Sequence, residues 1–216
     1  MSNIDTRIAR LARSLAASGT LLFLLTVSAA GADESAAVVQ NATNMAIGVC
    51  GTCHGPDGNS TNPMFPRLAG QHAGYLAREL KFFKDQSRGD PYAIAYMWGM
   101  ASGLSSETID ALAQYYARQT AAAGKSHDAA TIARGRDIFE HGIASQGVPA
   151  CAACHGADAL GSDAYPRLAG QHAQYVLKQL ASFQSNMRNI AAMHGVAQNL
   201  RTPEMRAVAD YLESLP

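Results

Sequence analysis

Cys50-Gly51-Thr52-Cys53-His54 returns later in the chain as Cys151-Ala152-Ala153-Cys154-His155. The two copies use all four cysteines, so none remains for a structural disulfide. A C-x-x-C-H run reads as a c-type haem attachment site. The two thiols add across the vinyl groups of one haem, and the following histidine lies under the ring, where an imidazole nitrogen can bind the iron. A Cys₄ zinc site would require both pairs to converge and would leave His54 and His155 without a role. A thioredoxin-like pair belongs in a βαβ pattern, which this chain lacks. The expectation is two covalently bound haem c groups, held by Cys50 and Cys53 and by Cys151 and Cys154, with His54 and His155 on the iron.

The repeat extends beyond the haem motif. Pro66-Arg67-Leu68-Ala69-Gly70-Gln71-His72-Ala73 recurs unchanged as Pro166-Arg167-Leu168-Ala169-Gly170-Gln171-His172-Ala173. Tyr75 matches Tyr175, Leu80 matches Leu180, and Met97-Trp98-Gly99 matches Met193-His194-Gly195. The mature chain therefore reads as two tandem domains, residues 33–125 and 126–216, joined near 121–126 where apolar periodicity lapses.

The first 32 residues read as a signal peptide. Arg7, Arg10 and Arg13 precede an apolar run from Leu15 to Ala30, and Ala30-Gly31-Ala32 offers small residues for cleavage. That run falls short of the roughly 20 residues a membrane-spanning helix needs. Export suits covalent haem attachment, which in a bacterium-like chain is completed outside the cytoplasm, so the expected location is the periplasm. The whole chain balances 17 basic against 17 acidic residues, without the basic excess of a nucleic-acid protein. Without Arg7, Arg10, Arg13 and Asp5 the mature chain keeps 14 basic and 16 acidic side chains. A loose association with the periplasmic face of the membrane is compatible with such a chain.

Apolar spacing predicts helices over 38–50, 71–86, 105–119, 128–140, 171–185 and 202–214. Ser105 or Ser106, Asp128 and Thr202 are the expected N-caps, with Pro203 opening the last helix. Gly89-Asp90-Pro91 is the expected stop after the helix that carries Tyr75, Leu76, Leu80 and Phe83 at core-facing spacing. No segment alternates as a strand, so the fold class is all-α. Only 7% of the residues are aromatic, and a buried haem would supply apolar surface that side chains of such small domains lack.

The second axial position of each iron separates electron transfer from catalysis. Met97 and Met193 each follow their haem motif in the same register, in a stretch that reads as irregular. A thioether there favours Fe(II) and raises the potential. Met64 and Met100 in the first domain, and Met187 and Met205 in the second, fall out of register. His72 and His172, also duplicated, are the competing ligands, although their motif better suits the haem edge. His127, His141 and His194 read as solvated. The carbonyls of Pro66 and Pro166 suit a hydrogen bond to the far ring nitrogen of His54 and His155. Arg67 and Arg167 either pair with haem propionates or lie on the surface.

Taken together, the run from Cys50 to Ser60, the Phe65-to-Gln71 element, the Met97-to-Ser105 element and the run from Gly147 to Gly156 resemble the cytochrome c4 family. The resemblance implies two class I cytochrome c domains with haems facing each other across a pseudo-twofold interface. It implies axial pairs His54/Met97 and His155/Met193. It also implies an electron carrier, not an enzyme, working between a quinol–cytochrome c oxidoreductase and a terminal oxidase. A cytochrome subunit accepting electrons from a flavin- or quinone-dependent dehydrogenase is the alternative, and a haem peroxidase with an open iron is a third. One departure from the family pattern is that Gly135-x-x-x-Phe139, which suits a close crossing of first and last helices, has only small residues such as Ala42 and Ala46 as its first-domain counterpart.

Overall fold

The helices that start at Ala73, Ser106, Ala129, Ala173, Ala191 and Thr202 each follow a residue with non-helical backbone, whereas the short ones at Gly51, Trp98 and Ala152 continue from helical residues. The computed structural model describes residues 33–216; the expected signal peptide lies outside them. Residues 33–41 are helical and belong to a separate unit, whereas everything below concerns residues 42–216. A π-helical turn, Ala46–Cys50, runs into α1 (Gly51–His54). Then follow α2 (Ala73–Lys84), a π-helical turn Ala93–Met97 continuing into α3 (Trp98–Ala101), and α4 (Ser106–Ala117). The second repeat comprises α5 (Ala129–His141), α6 (Ala152–His155), α7 (Ala173–Gln184), α8 (Ala191–Ala197) and α9 (Thr202–Ser214). Among the described residues the only β feature is an isolated bridge between Ile143 and Val148. The fold is all-α, and no described helix is long and apolar enough to cross a membrane.

The capping residues act as their chemistry dictates. Ser105 accepts the Thr108 N–H at 3.2 Å and Asp128 accepts the Thr131 N–H at 3.0 Å. Three expectations are displaced. Helix α9 starts after Arg201, not after Thr202, because the Glu204 carboxylate reaches back to the Arg201 N–H at 2.7 Å. Helices α2 and α7 stop at Lys84 and Gln184, before Gly89-Asp90-Pro91 or its counterpart. Gln86 and Asn186 turn the chain there with φ of 59° each. Met97 and Met193 lie in helical segments, so the irregular stretch expected around them does not exist.

Each repeat builds its own core. Leu76, Phe83, Ile109, Leu112 and Tyr116 fill the first, and Ile138, Phe139, Val208, Tyr211 and Leu212 the second. Helices α5 and α9 cross at Gly135, where an added Cβ would sit 1.9 Å from the Ala207 carbonyl oxygen. Phe139, fully buried, packs against Tyr211 with ring centroids 5.6 Å apart. In the first repeat alanines stand at the contact: Ala42 and Ala46 are buried, and the Tyr116 hydroxyl donates to the Ala46 carbonyl at 3.1 Å.

Candidate haem sites

The short helices α1 and α6 place the two cysteines and the histidine of each motif on one turn. Cys50 and Cys151 are half-buried, Cys53 and Cys154 exposed, and His54 and His155 buried. Gly55 and Gly156 follow with φ near +80°, a conformation costly for other residues, and swing the chain away from the imidazole. His54 Nδ1 lies 2.9 Å from the Pro66 carbonyl oxygen, and His155 Nδ1 lies 3.1 Å from that of Pro166. A carbonyl only accepts, so the ring proton sits on Nδ1 and Nε2 keeps its lone pair. Burial lowers the pKa of both imidazoles, with the proline carbonyls opposing the shift. A neutral ring with a free Nε2 is what a metal requires.

Both motifs open onto one cavity of about 760 Å³, largely apolar, with walls from both repeats. Met97 and Met193 line it. In the second repeat the rivals separate cleanly: Met187 is exposed away from the wall and Met205 is in the core. In the first, Met64 and Met100 also reach the wall.

Charged groups converge where the repeats meet. Glu79 accepts from Arg88 Nη1 and, at 2.9 Å, from Arg188 Nη2. Arg88 Nε donates to Asp90 at 2.7 Å. Gln179 Oε1 accepts from both arginines, each at 2.8 Å. Arg188 Nη2 also reaches the Tyr75 hydroxyl at 2.9 Å, so Tyr75 faces the other repeat instead of its own core. Burial works to raise the Glu79 pKa, but Arg188 and Arg88 outweigh it and hold the carboxyl below its ordinary value.

The octapeptide copies also meet. Gln171 Oε1 accepts the Arg67 N–H and its amide donates to the Arg67 carbonyl, both at 2.9 Å. Gln71 treats Arg167 identically, at 2.8 and 2.9 Å. His72 Nε2 donates to the Leu160 carbonyl and His172 Nε2 to that of Ser60, each at 2.8 Å. Both histidines, expected at the haem edge, therefore join the repeats. Arg67 donates to the carbonyls of Gly170 and Ala123, and Arg167 to that of Pro216. Of the histidines expected to be solvated, His141 is exposed, but His127 bonds to buried Glu213 at 2.8 Å and His194 to the Phe183 carbonyl. The seam glutamines and the Arg88–Glu79 cluster were not singled out from sequence. The unchanged Gln-His of the octapeptide and the matched Arg88 and Arg188 were the available signals.

The cavity fits haem on the chemistry of its walls. Each motif sets a half-buried and an exposed thiol beside an imidazole with a free nitrogen. Arg67, Arg167 and Arg188, all on the wall, each keep a buried Nε with no protein partner. Such orphan donors suit the carboxylates of a porphyrin.

A fold made of two helical repeats, each presenting C-x-x-C-H to an apolar cavity, defines a two-domain c-type cytochrome. The family profile described as cytochrome c matches residues 36–118 and again 132–216. The chain is 37% identical to cytochrome c4 of Stutzerimonas stutzeri over 180 residues, covering 78% of this chain and 85% of the relative. It is 35% identical over 175 residues to a thiosulfate dehydrogenase electron acceptor of Thiomonas intermedia, covering 77% and 78%. The solved cytochrome c4 of Acidithiobacillus ferrooxidans superposes with a TM-score of 0.73 at 40% identity, covering 77% of this chain and 98% of that one. The chain belongs to the cytochrome c4 family. It is a dihaem electron-transfer protein, carries covalent haem c in each domain, and works with redox partners.

Proposed function

We propose that this protein is a periplasmic shuttle with both irons closed by protein ligands, His54 with Met97 and His155 with Met193. Cys50 and Cys53 tether one haem, and Cys151 and Cys154 the other. The domains span residues 33–125 and 126–216, after removal of a signal peptide at 1–32. The observation carrying the reading is the recurrence of one arrangement: a proline carbonyl holding Nδ1, and a methionine on the cavity wall in the same register. When bound, haem supplies a one-electron Fe(III)/Fe(II) couple. Pro66 and Pro166 keep the imidazoles oriented, and the thioethers of Met97 and Met193 would hold the irons and keep water and small ligands away. The expected route runs from a quinol–cytochrome c oxidoreductase towards a terminal oxidase. Met97→Ala and Met193→Ala test the ligands. Each is expected to abolish the sulfur-to-iron charge-transfer band of one haem and lower that haem's potential. A variant that keeps both band and potential refutes that ligand.

The likeness to a thiosulfate dehydrogenase electron acceptor favours a second reading, in which a dehydrogenase is the electron donor. Co-purification with a catalytic subunit from the native organism would support it. Reduction by the quinol–cytochrome c oxidoreductase, with no second chain bound, would support the first.

A further inference from the structure

We propose that a redox partner protein docks on the first repeat through an uncharged face at the mouth of its haem site, with Tyr96 at the centre of the contact. The proposal rests on the carrier reading above and adds where, and by what chemistry, one partner is held. The duplication supplies the reference: both mouths must seat the same haem, so haem alone does not account for differences between them. Around the first mouth Val49, Met64, Tyr96 and Met100 stand on the cavity wall. In the register of the haem motif, the octapeptide and the Met-x-Gly element, their counterparts are the smaller Ala150, Ala164, Ala192 and Val196. Val49, Tyr96 and Met100 are each close to half exposed. Ile47 and Ile94 flank them in sequence, lie off the wall, and are half exposed as well. Val148, which replaces Ile47 in the second repeat, is buried.

Charge is kept away from this face. No Asp, Glu, Lys or Arg occurs at residues 42–56, 58–66 or 91–106, the three runs that carry it. Lys178 reaches this side from the second repeat, but its Nζ donates to the Tyr92 hydroxyl at 2.7 Å and lies 3.9 Å from the centroid of that ring. At the second mouth the exposed Tyr165 stands two residues from Asp163, whose carboxylate accepts the Gly74 N–H and whose carbonyl accepts from Arg78. Pro63 takes that place in the first repeat. Ring contacts lead inward from the face. Tyr92 and Tyr96 stack with centroids 6.2 Å apart, Tyr96 meets Phe65 edge-on at 5.6 Å, and Phe65 meets the His54 ring at 6.1 Å. The second repeat keeps the innermost contact, Tyr165 with His155, and has Ala192 in place of Tyr96. Aromatic and methionine side chains without charge are what the buried centre of a protein interface uses, and a charge buried there unpaired is costly. The partner that fits presents an apolar, uncharged face around its own electron-exchange edge, and salt does little to such a contact.

The test uses the intact dihaem protein and three single variants, Ile94→Lys, Ile94→Glu and Tyr96→Ala. Ile94 is exposed and off the wall, and alanine already precedes Met193 in the second repeat, so all three are expected to keep both haem spectra and both midpoints. Stopped-flow absorbance follows electron exchange with washed membranes and with the periplasmic fraction of the native organism, as reduction and as oxidation, at low and high salt. In one direction of exchange the unmodified protein is expected to change rate by less than about twofold with salt. Each variant is expected to slow that exchange by about tenfold or more, lysine and glutamate alike. Opposite effects of Ile94→Lys and Ile94→Glu, a steep salt dependence in both directions, or unchanged rates in the Ile94 pair overturn the proposal, and that pair decides the matter should Tyr96→Ala disturb the Met97 side. Variants that lose only binding to phosphatidylethanolamine–phosphatidylglycerol vesicles assign the face to a membrane, and variants that lose only a dimer in sedimentation assign it to a second copy; either result overturns the proposal. An unmodified protein that exchanges electrons with neither fraction instead overturns the carrier reading, which keeps the two failures apart.

Discussion

Glu79→Gln removes the one carboxylate that holds two adjacent buried guanidiniums together. In the native protein Glu79 Oε2 accepts from Arg88 and from Arg188, and all three side chains are nearly free of solvent contact. Breaking a buried ion pair by removing one member costs about 3–5 kcal/mol, because a charge is left in low dielectric without compensation. Glutamine keeps the shape and one acceptor oxygen, so the expected loss is at the low end, about 3 kcal/mol. The near-symmetry of the seam supplies the control. Gln179 Oε1 already lies 2.8 Å from both Arg88 and Arg188, so Gln179→Glu places a carboxylate against the same two cations from the opposite repeat. The exchanged pair, Glu79→Gln with Gln179→Glu, is expected to recover roughly 2–3 kcal/mol of the loss. Urea unfolding of the dihaem protein followed by far-ultraviolet circular dichroism measures all three variants. If the exchanged pair is no more stable than Glu79→Gln alone, the stabilisation did not come from charge between the arginines, and the reasoning fails.

Acidification should act through the same kind of group. Glu79 and Glu213 are held below the ordinary carboxyl value despite burial, Glu213 by the Ala173 N–H and by His127 and His172. A depressed carboxylate stabilises the fold above its unfolded pKa of about 4.3, and that contribution disappears as pH falls through the folded value. The melting temperature is therefore expected to be flat from neutrality to about pH 5 and to fall below about pH 4. Glu213→Gln should flatten that acid limb, and an unchanged limb would show that Glu213 has no part in it. Gly135→Ala should destabilise the second repeat by about 1–3 kcal/mol despite alanine's better helix propensity, since its Cβ would meet the Ala207 carbonyl 1.9 Å away. A neutral or stabilising result in thermal melts would mean that α5 and α9 are free to separate.

The haem motifs, the repeat and the helices were legible because each is written in local chemistry. Cysteine spacing, a carbonyl without a competing N–H at Pro66 and apolar periodicity in α2 and α4 need no knowledge of distant residues. The seam is another matter. Gln71 and Gln171 are ordinary polar residues until each is opposite the backbone of the other copy's arginine, a contact about a hundred residues away in sequence. Arg67 and Arg167 read as surface or propionate groups for the same reason, although their terminal nitrogens spend their hydrogen bonds on backbone carbonyls. The identity of the two octapeptides nevertheless carried this information in another form. Two haem pockets facing unrelated surroundings would be free to drift apart outside the residues that touch the haem, as Trp98 and His194 have. An eight-residue run that faces its own copy is not free in this way, because each glutamine must match the backbone of the other copy's arginine and both copies meet the same demand. Cluster residues away from that reciprocity have diverged, Glu79 from Gln179 and Asp90 from Ile190. The seam thus keeps its backbone contacts symmetrical across the repeat while the charges beside them are not.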